Sequence, residues 1–87
     1  MDEVFYISGI FIGGPCDGQT VPAVARSRDV WRVEGDMTPD GLGFYVEPYE
    51  RRIFRKPNER MNDYVFFVFR NVPEAGINGR AREFLGS

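Results

Sequence analysis

The stretch DYVFFVFRNV, residues 63–72, is apolar at odd and even positions alike. Successive side chains of a strand point to opposite faces, so such a strand needs cover on both and belongs inside a sheet. A chain of 87 residues must meet that demand with little material, because a domain this size hides only roughly 60–65% of its unfolded surface. A second run, VFYISGIFI at 4–12, has a similar character. Regular alternation puts Val4, Tyr6, Ile10 and Ile12 on one face and Phe5, Ile7 and Phe11 on the other. It is expected to be a central strand covered at least in part on both sides, with Gly9 marking a bulge or a close backbone approach.

Few devices other than packing are open to the chain. Cys16 is the sole cysteine and cannot pair internally. With no histidine present, a lone thiolate cannot complete a tetrahedral zinc site, and no cofactor is expected. The core must come from eight Phe, four Tyr and one Trp, each able to bury about 150–250 Å². A homo-oligomer would relieve any shortage. A formal charge of −2 supplies no field toward DNA or anionic membrane. The acidic opening lacks the basic flank of a secretory signal, and no apolar run approaches the ~20 residues of a membrane span. An unpaired cysteine suits a reducing compartment, so a cytoplasmic location with no membrane partner is expected.

The remaining segments read as short strands and turns. QTVPAV is a weak strand that Pro22 confines to an edge. SRDVWRVEG, 27–35, alternates, with Trp31 and Val33 opposite Arg28 and Arg32. DMTPDGLG, 36–43, is turn chemistry. FYVEPYERRIFRK, 44–56, is one long strand or two bent at Pro48, and PNER, 57–60, turns into the doubly apolar run. After Pro73, INGRAREFLGS predicts a short helix with Asn78 as N-cap and Gly86 beyond its end, held only if Phe84 and Leu85 dock on the sheet. The expectation is a single β-rich domain over 1–87. It is a small antiparallel barrel or sandwich of four to six strands with a C-terminal helix, an α+β arrangement being the alternative.

FIGGPCDGQTVP, 11–22, is the most conspicuous motif. A phosphate-binding loop needs a GK[ST] ending and a following helix, whereas Gln19 and Thr20 follow Gly18 and Pro22 discourages a helix. A turn accounts for every residue: Pro15 presets φ, Asp17 bonds backbone and Gly18 takes positive φ. Cys16 has no histidine to activate it, and neighbouring Asp17 disfavours its thiolate. The motif resembles the opening of a diffuse set of small, mostly uncharacterised bacteriophage and actinobacterial proteins that begin with an apolar strand and a GGPxDG turn. The match falls on Gly13, Gly14, Pro15, Asp17 and Gly18, with YERRIF (49–54) and DYVFFVF (63–69) similar to later elements. Cys16 fills the variable slot, and the segment after Pro73 has no counterpart. The resemblance implies a phage or prophage origin, hence a host cytoplasm, and a β-rich fold; it implies no activity and no site residues.

Three function classes remain to be weighed. For an enzyme no nucleophile–base pair can be named, and a Glu47–Glu50 pair falls on opposite strand faces. For nucleic acid, RRIFRKPNER gathers Arg51, Arg52, Arg55, Lys56 and Arg60 around Phe54, but alternation splits Arg51 and Arg55 from Arg52 and Lys56, and thirteen acids dilute the field. For a protein-binding module, aromatics and arginines are the residue types of interface hot spots. Tyr45, Tyr49 and Arg51 share a strand face, beside Trp31 if those strands pair. The expected function is a non-enzymatic, phage-type accessory protein that binds another protein, as in interference with a host or defence complex. Virion or tail assembly is one alternative, and nucleic-acid binding through the Arg51–Arg60 run is another. The binding candidates are Tyr45, Tyr49, Arg51, Arg52, Arg55, Lys56 and Arg60.

Overall fold

The computed structural model describes residues 5–56, 59 and 62–86. Val4, Arg60 and most of the turn expected at 57–60 lie outside the described residues. Four strands, β1 (Phe5–Ile12), β2 (Val30–Met37), β3 (Phe44–Phe54) and β4 (Asn62–Phe69), form one sheet in the order β1-β4-β3-β2. A single 3-10 turn, Ala23–Ala25, precedes β2, and helix α1 (Glu74–Leu85) ends the chain. The architecture is the small, mainly β one expected, a curled half-barrel with a C-terminal helix. One pair departs from an all-antiparallel design: β1 and β4 run parallel. The cause is topological, since β4 is made last and fits into the slot between β1 and β3.

β4 is the interior strand its doubly apolar pattern demands. Val65 and Phe67 join Phe11, Val21, Ala25 and Tyr49 in one core, roofed by the crossing segment between β1 and β2; we call this the loop side. Phe66 and Val68 join Ile12, Ile77 and Ala81 in a second core under α1, the helix side. Both clusters are fully enclosed aromatic and aliphatic packing, the dominant source of stability in so small a chain.

β1 corrects the expectation of a central strand, because it lies at the sheet edge. It is covered all the same. Segment 18–21 folds back along its outer side, with Phe11 N–H donating to Gln19 O (2.9 Å), Gly18 N–H to Phe11 O (2.8 Å) and Val21 N–H to Gly9 O (3.0 Å). QTV is thus an edge partner, through a single bridge of Thr20 to Ile10, rather than a strand. The register of β1 slips between Ser8 and Phe11, the bulge that Gly9 signals. A Cβ on Gly9 would meet Val65 O at 2.8 Å. The extra residue also overturns the simple alternation: Tyr6 falls on the loop side, under Arg51, while Ile10 and Ile12 pack on the helix side.

β3 is one continuous strand through Pro48. Its pairing is staggered: 44–50 pair with β2 and 49–54 with β4, so the two ladders overlap only around Tyr49 and Glu50. Pro48 sits one residue beyond the end of the β4 ladder, where its missing N–H leaves no rung unmade. The β2–β3 ladder beyond this point is a two-stranded arm, and it stretches the molecule to 52 Å along its longest axis. Helix α1 begins earlier than expected, at Glu74 with Pro73 rather than Asn78 as N-cap, and stops at Gly86 in the left-handed region (φ 74°). Proline ends extended (ψ 149°), which sets up the first turn without a side-chain cap. Ile77, Ala81 and Leu85 form the buried stripe, and Phe84 lies edge-on to Phe66 and Tyr64.

Candidate functional site

The stagger of β3 leaves half of one sheet face without a roof. α1 covers β1 and β4 on the helix side, with Arg52 and Phe54 of β3 at its margin, and nothing among the described residues covers the same face of β2 and of residues 44–48 of β3. Cross-strand partners share a face, so Met37 with Phe44, Glu34 with Val46, Arg32 with Pro48 and Val30 with Glu50 line the bare surface in register. Val46 is 60% exposed, Met37 57% and Phe44 49%. At the tip, Leu42 is almost wholly exposed. The tip is nonetheless held in one shape: Thr38 N–H donates to Gly43 O (2.8 Å), and the Asp40 carboxylate accepts from Thr38 Oγ1 and Leu42 N–H. Those two bonds hold the Asp40 carboxyl below its usual range. Toward the body the strip runs into a groove of about 390 Å³ between the arm and the start of α1, floored by Val68 and Ile77 and flanked by Arg32, Arg52 and Arg70.

The basic run sits elsewhere, and each described member has an acidic neighbour from a distant or adjoining segment. Arg51 reaches Asp29 (3.0 Å) and Arg26 O (3.1 Å) on the loop side. Arg52 grips both Glu74 oxygens of α1 (2.8 and 3.0 Å) on the helix side. Arg55 pairs with Asp63, and Lys56 lies 3.8 Å from Glu59. The alternation that splits Arg51 and Arg55 from Arg52 and Lys56 is therefore real, and these four side chains tie strands, loop and helix together. Arg60 lies outside the described residues. Arg32, on the arm, makes no ion pair among the described residues.

Tyr49 corrects its assignment as a binding residue. It is 0% exposed, and its hydroxyl donates to Gly13 O (2.6 Å) while accepting from Cys16 N–H (2.9 Å). Burial raises its pKa above the ordinary 10.0. Trp31 stands opposite it, as expected if the two strands pair. Tyr45 is half exposed on the loop side of the arm, compatible with a surface role.

The glycine-proline segment is a turn, held by its own backbone geometry and by Asp17. Gly13, Gly14 and Gly18 all take positive φ (80°, 66° and 83°). The Asp17 carboxylate accepts from Gly13 N–H (2.7 Å) and pairs with Arg80 of α1 (2.9 Å), which together lower its pKa. The turn thus anchors Tyr49 from one side and the helix from the other, and Pro15 and Cys16 ride on it.

Among the described residues no helix is long and apolar enough to cross a membrane, and no group of three or more Cys, Asp or Glu side chains is placed to hold a metal ion. The sequence matches no protein-family pattern, no curated protein and no solved structure.

Sequence reasoning missed Met37, Phe44 and Val46. Their alternation with polar residues was visible, but alternation does not say which of two faces the rest of the chain will cover.

Proposed function

We propose that the protein works without catalysis, by binding another protein along the helix-side face of the β2–β3 arm. One observation carries the reading: Met37, Phe44 and Val46 stand about half exposed side by side, in register on one face of the two-stranded arm. Contiguous exposed apolar surface rimmed by polar groups marks interaction sites on soluble proteins. The partner that fits is an amphipathic segment whose apolar side lies on Phe44, Val46 and Met37 and whose acidic side meets Arg32. Its end would enter the groove beside α1. The resemblance of the GGPCDG turn to phage and actinobacterial proteins makes a host complex the first partner to seek and a virion protein the second. The basic run supports nucleic-acid binding less well, since its described charges are engaged within the molecule.

The test is affinity capture from host lysate with the natural protein and with the double variant Phe44→Ser, Val46→Ser. Both side chains are exposed, so the thermal midpoint is expected to move by only about 2–4 °C. A protein retained by the natural chain and lost by the variant supports the reading. Equal capture by both would place the binding surface elsewhere.

A further inference from the structure

The two edges of the sheet are treated differently. The chain covers the outer edge of β1 with its own segment 18–21. The outer edge of β2 has no such cover among the described residues. The direction of its backbone groups follows from one bond: Arg51 N–H donates to Asp29 O (3.0 Å). Residues 29 and 51 are opposite in the same register as Val30–Glu50 and Trp31–Tyr49, so 29, 31 and 33 turn their N–H and C=O toward β3. Alternation then aims the N–H and C=O of Val30, Arg32 and Glu34 outward. No proline interrupts β2; its edge carries the charges Arg32, Glu34 and Asp36 and a bulge after Glu34, so a strand can add to it only in a register that satisfies those charges.

We propose that β2 is the seat of self-association: two copies pair antiparallel through this edge, about a two-fold axis at Val33, to make one continuous eight-stranded sheet. Charge favours this register over the two on either side of it. Antiparallel self-pairing must keep like faces together, so the axis passes through a residue rather than between two. An axis at Arg32 would set that guanidinium against its twin, and one at Glu34 would set carboxylate against carboxylate. At Val33, Arg32 of each copy stands directly opposite Glu34 of the other, twice over, on the exposed helix side. The same two residues carry the outward backbone groups, so they exchange about four main-chain hydrogen bonds in the same register. Val33 meets Val33 on the loop side. The bulge after Glu34 keeps this ladder short. It buries well under the ~1,200–2,000 Å² of a standard stable interface, so association is expected at concentrations of ~10–100 μM. The edge shares Arg32 and Glu34 with the border of the apolar strip, but its main-chain rungs do not involve Met37, Phe44 or Val46, so sedimentation of the pure protein tests it apart from partner capture.

Sedimentation velocity across ~5–500 μM reads the result directly. The natural protein is expected to shift from monomer to dimer over that range. Arg32→Glu and Glu34→Arg each place like charges opposite one another and should stay monomeric. The two single variants mixed in equal amounts should form a heterodimer, because each repairs the other's mismatch. The double variant Arg32→Glu, Glu34→Arg, with the net charge of the natural chain, should dimerise by itself. Both substituted residues lie on an exposed edge, and far-UV circular dichroism confirms the fold of each variant. A natural protein that remains monomeric throughout, or a dimer indifferent to the single reversals, would overturn the proposal.

Discussion

Replacing Tyr49 by Phe removes one oxygen atom and leaves the ring in place. That atom donates to Gly13 O at 2.6 Å and accepts from Cys16 N–H at 2.9 Å. The ring contacts are kept, edge-on to Phe11 at 4.9 Å between centroids. Each hydrogen bond contributes about 0.5–1.5 kcal/mol net, and a partner left unpaired in a buried setting costs about 1–3 kcal/mol. Gly13 and Cys16 are only half-buried, so water partly compensates, and the expected loss is about 2–3 kcal/mol. In a domain of this size that lowers the thermal midpoint by about 10–20 °C. Urea unfolding followed by the fluorescence of Trp31, which stands opposite residue 49 in the β2–β3 ladder, reports the change. Tyr45→Phe is the control, since its side chain is half exposed, and its effect should stay within about 0.5 kcal/mol. If Tyr49→Phe matched the natural protein to that margin, the glycine turn would not be anchored by this hydroxyl.

Two further outcomes follow from the same turn and its neighbours. Gly14→Ala should cost far more than Gly18→Ala, although both glycines have positive φ. The Gly18 site is open, so the cost there is the left-handed backbone alone, about 1–2 kcal/mol, whereas a Cβ on Gly14 would sit 2.6 Å from the Phe69 ring and from the Tyr49 hydroxyl. Equal midpoints for the two alanine variants would contradict the close approach. On acidification, Asp17, Glu59 and Glu74 have folded pKa values below their ordinary 3.8, 4.5 and 4.5, held down respectively by the Gly13 amide, by Asn62 and by Arg52. The unfolded chain therefore takes up protons first as pH falls, so stability is full above about pH 4.5 and drains away below it through the folded values. A chemical-denaturation midpoint that held constant from pH 6 to about 3 would contradict those pairings.

How much of this could be read from the residues depends on which physical signal each element carries. β4 was legible because an apolar residue at every position from Tyr64 to Phe69 leaves an interior strand as its only arrangement. The turn at 13–18 was legible because glycine, proline and aspartate each have a local reason to be there. β1 carries the same doubly apolar signature as β4, yet it lies at an edge. The cover on its outer side comes from segment 18–21, and no periodicity within β1 records that. The bulge at Gly9 was signalled, but its consequence, the transfer of Tyr6 to the side of Phe11, requires the register with β4. Tyr49 looked like a surface residue because Glu47 and Glu50 flank it. Its burial comes from Gly14 and Phe69, brought against it by the turn and by β4. The arginine run looked like a basic patch for a related reason: Asp29 and Glu74 are distant in sequence, Asp63 belongs to the next strand, and all three meet it only in the fold. The arm itself is set by where β4 stops. Phe69 ends the strand and Asn71 turns the chain at φ 65°, so residues 44–48 run on with a single neighbour.

Photo-crosslinking in host cells tests that bare face most directly. A photoreactive residue at Val46, 60% exposed on the arm, is compared with the same residue at Val24, 68% exposed on the crossing segment. A discrete adduct to a protein other than a second copy, from position 46 and absent from position 24, is the result predicted here. No adduct at 46, or the same adduct at both, would mean that the arm is not the surface through which this protein acts.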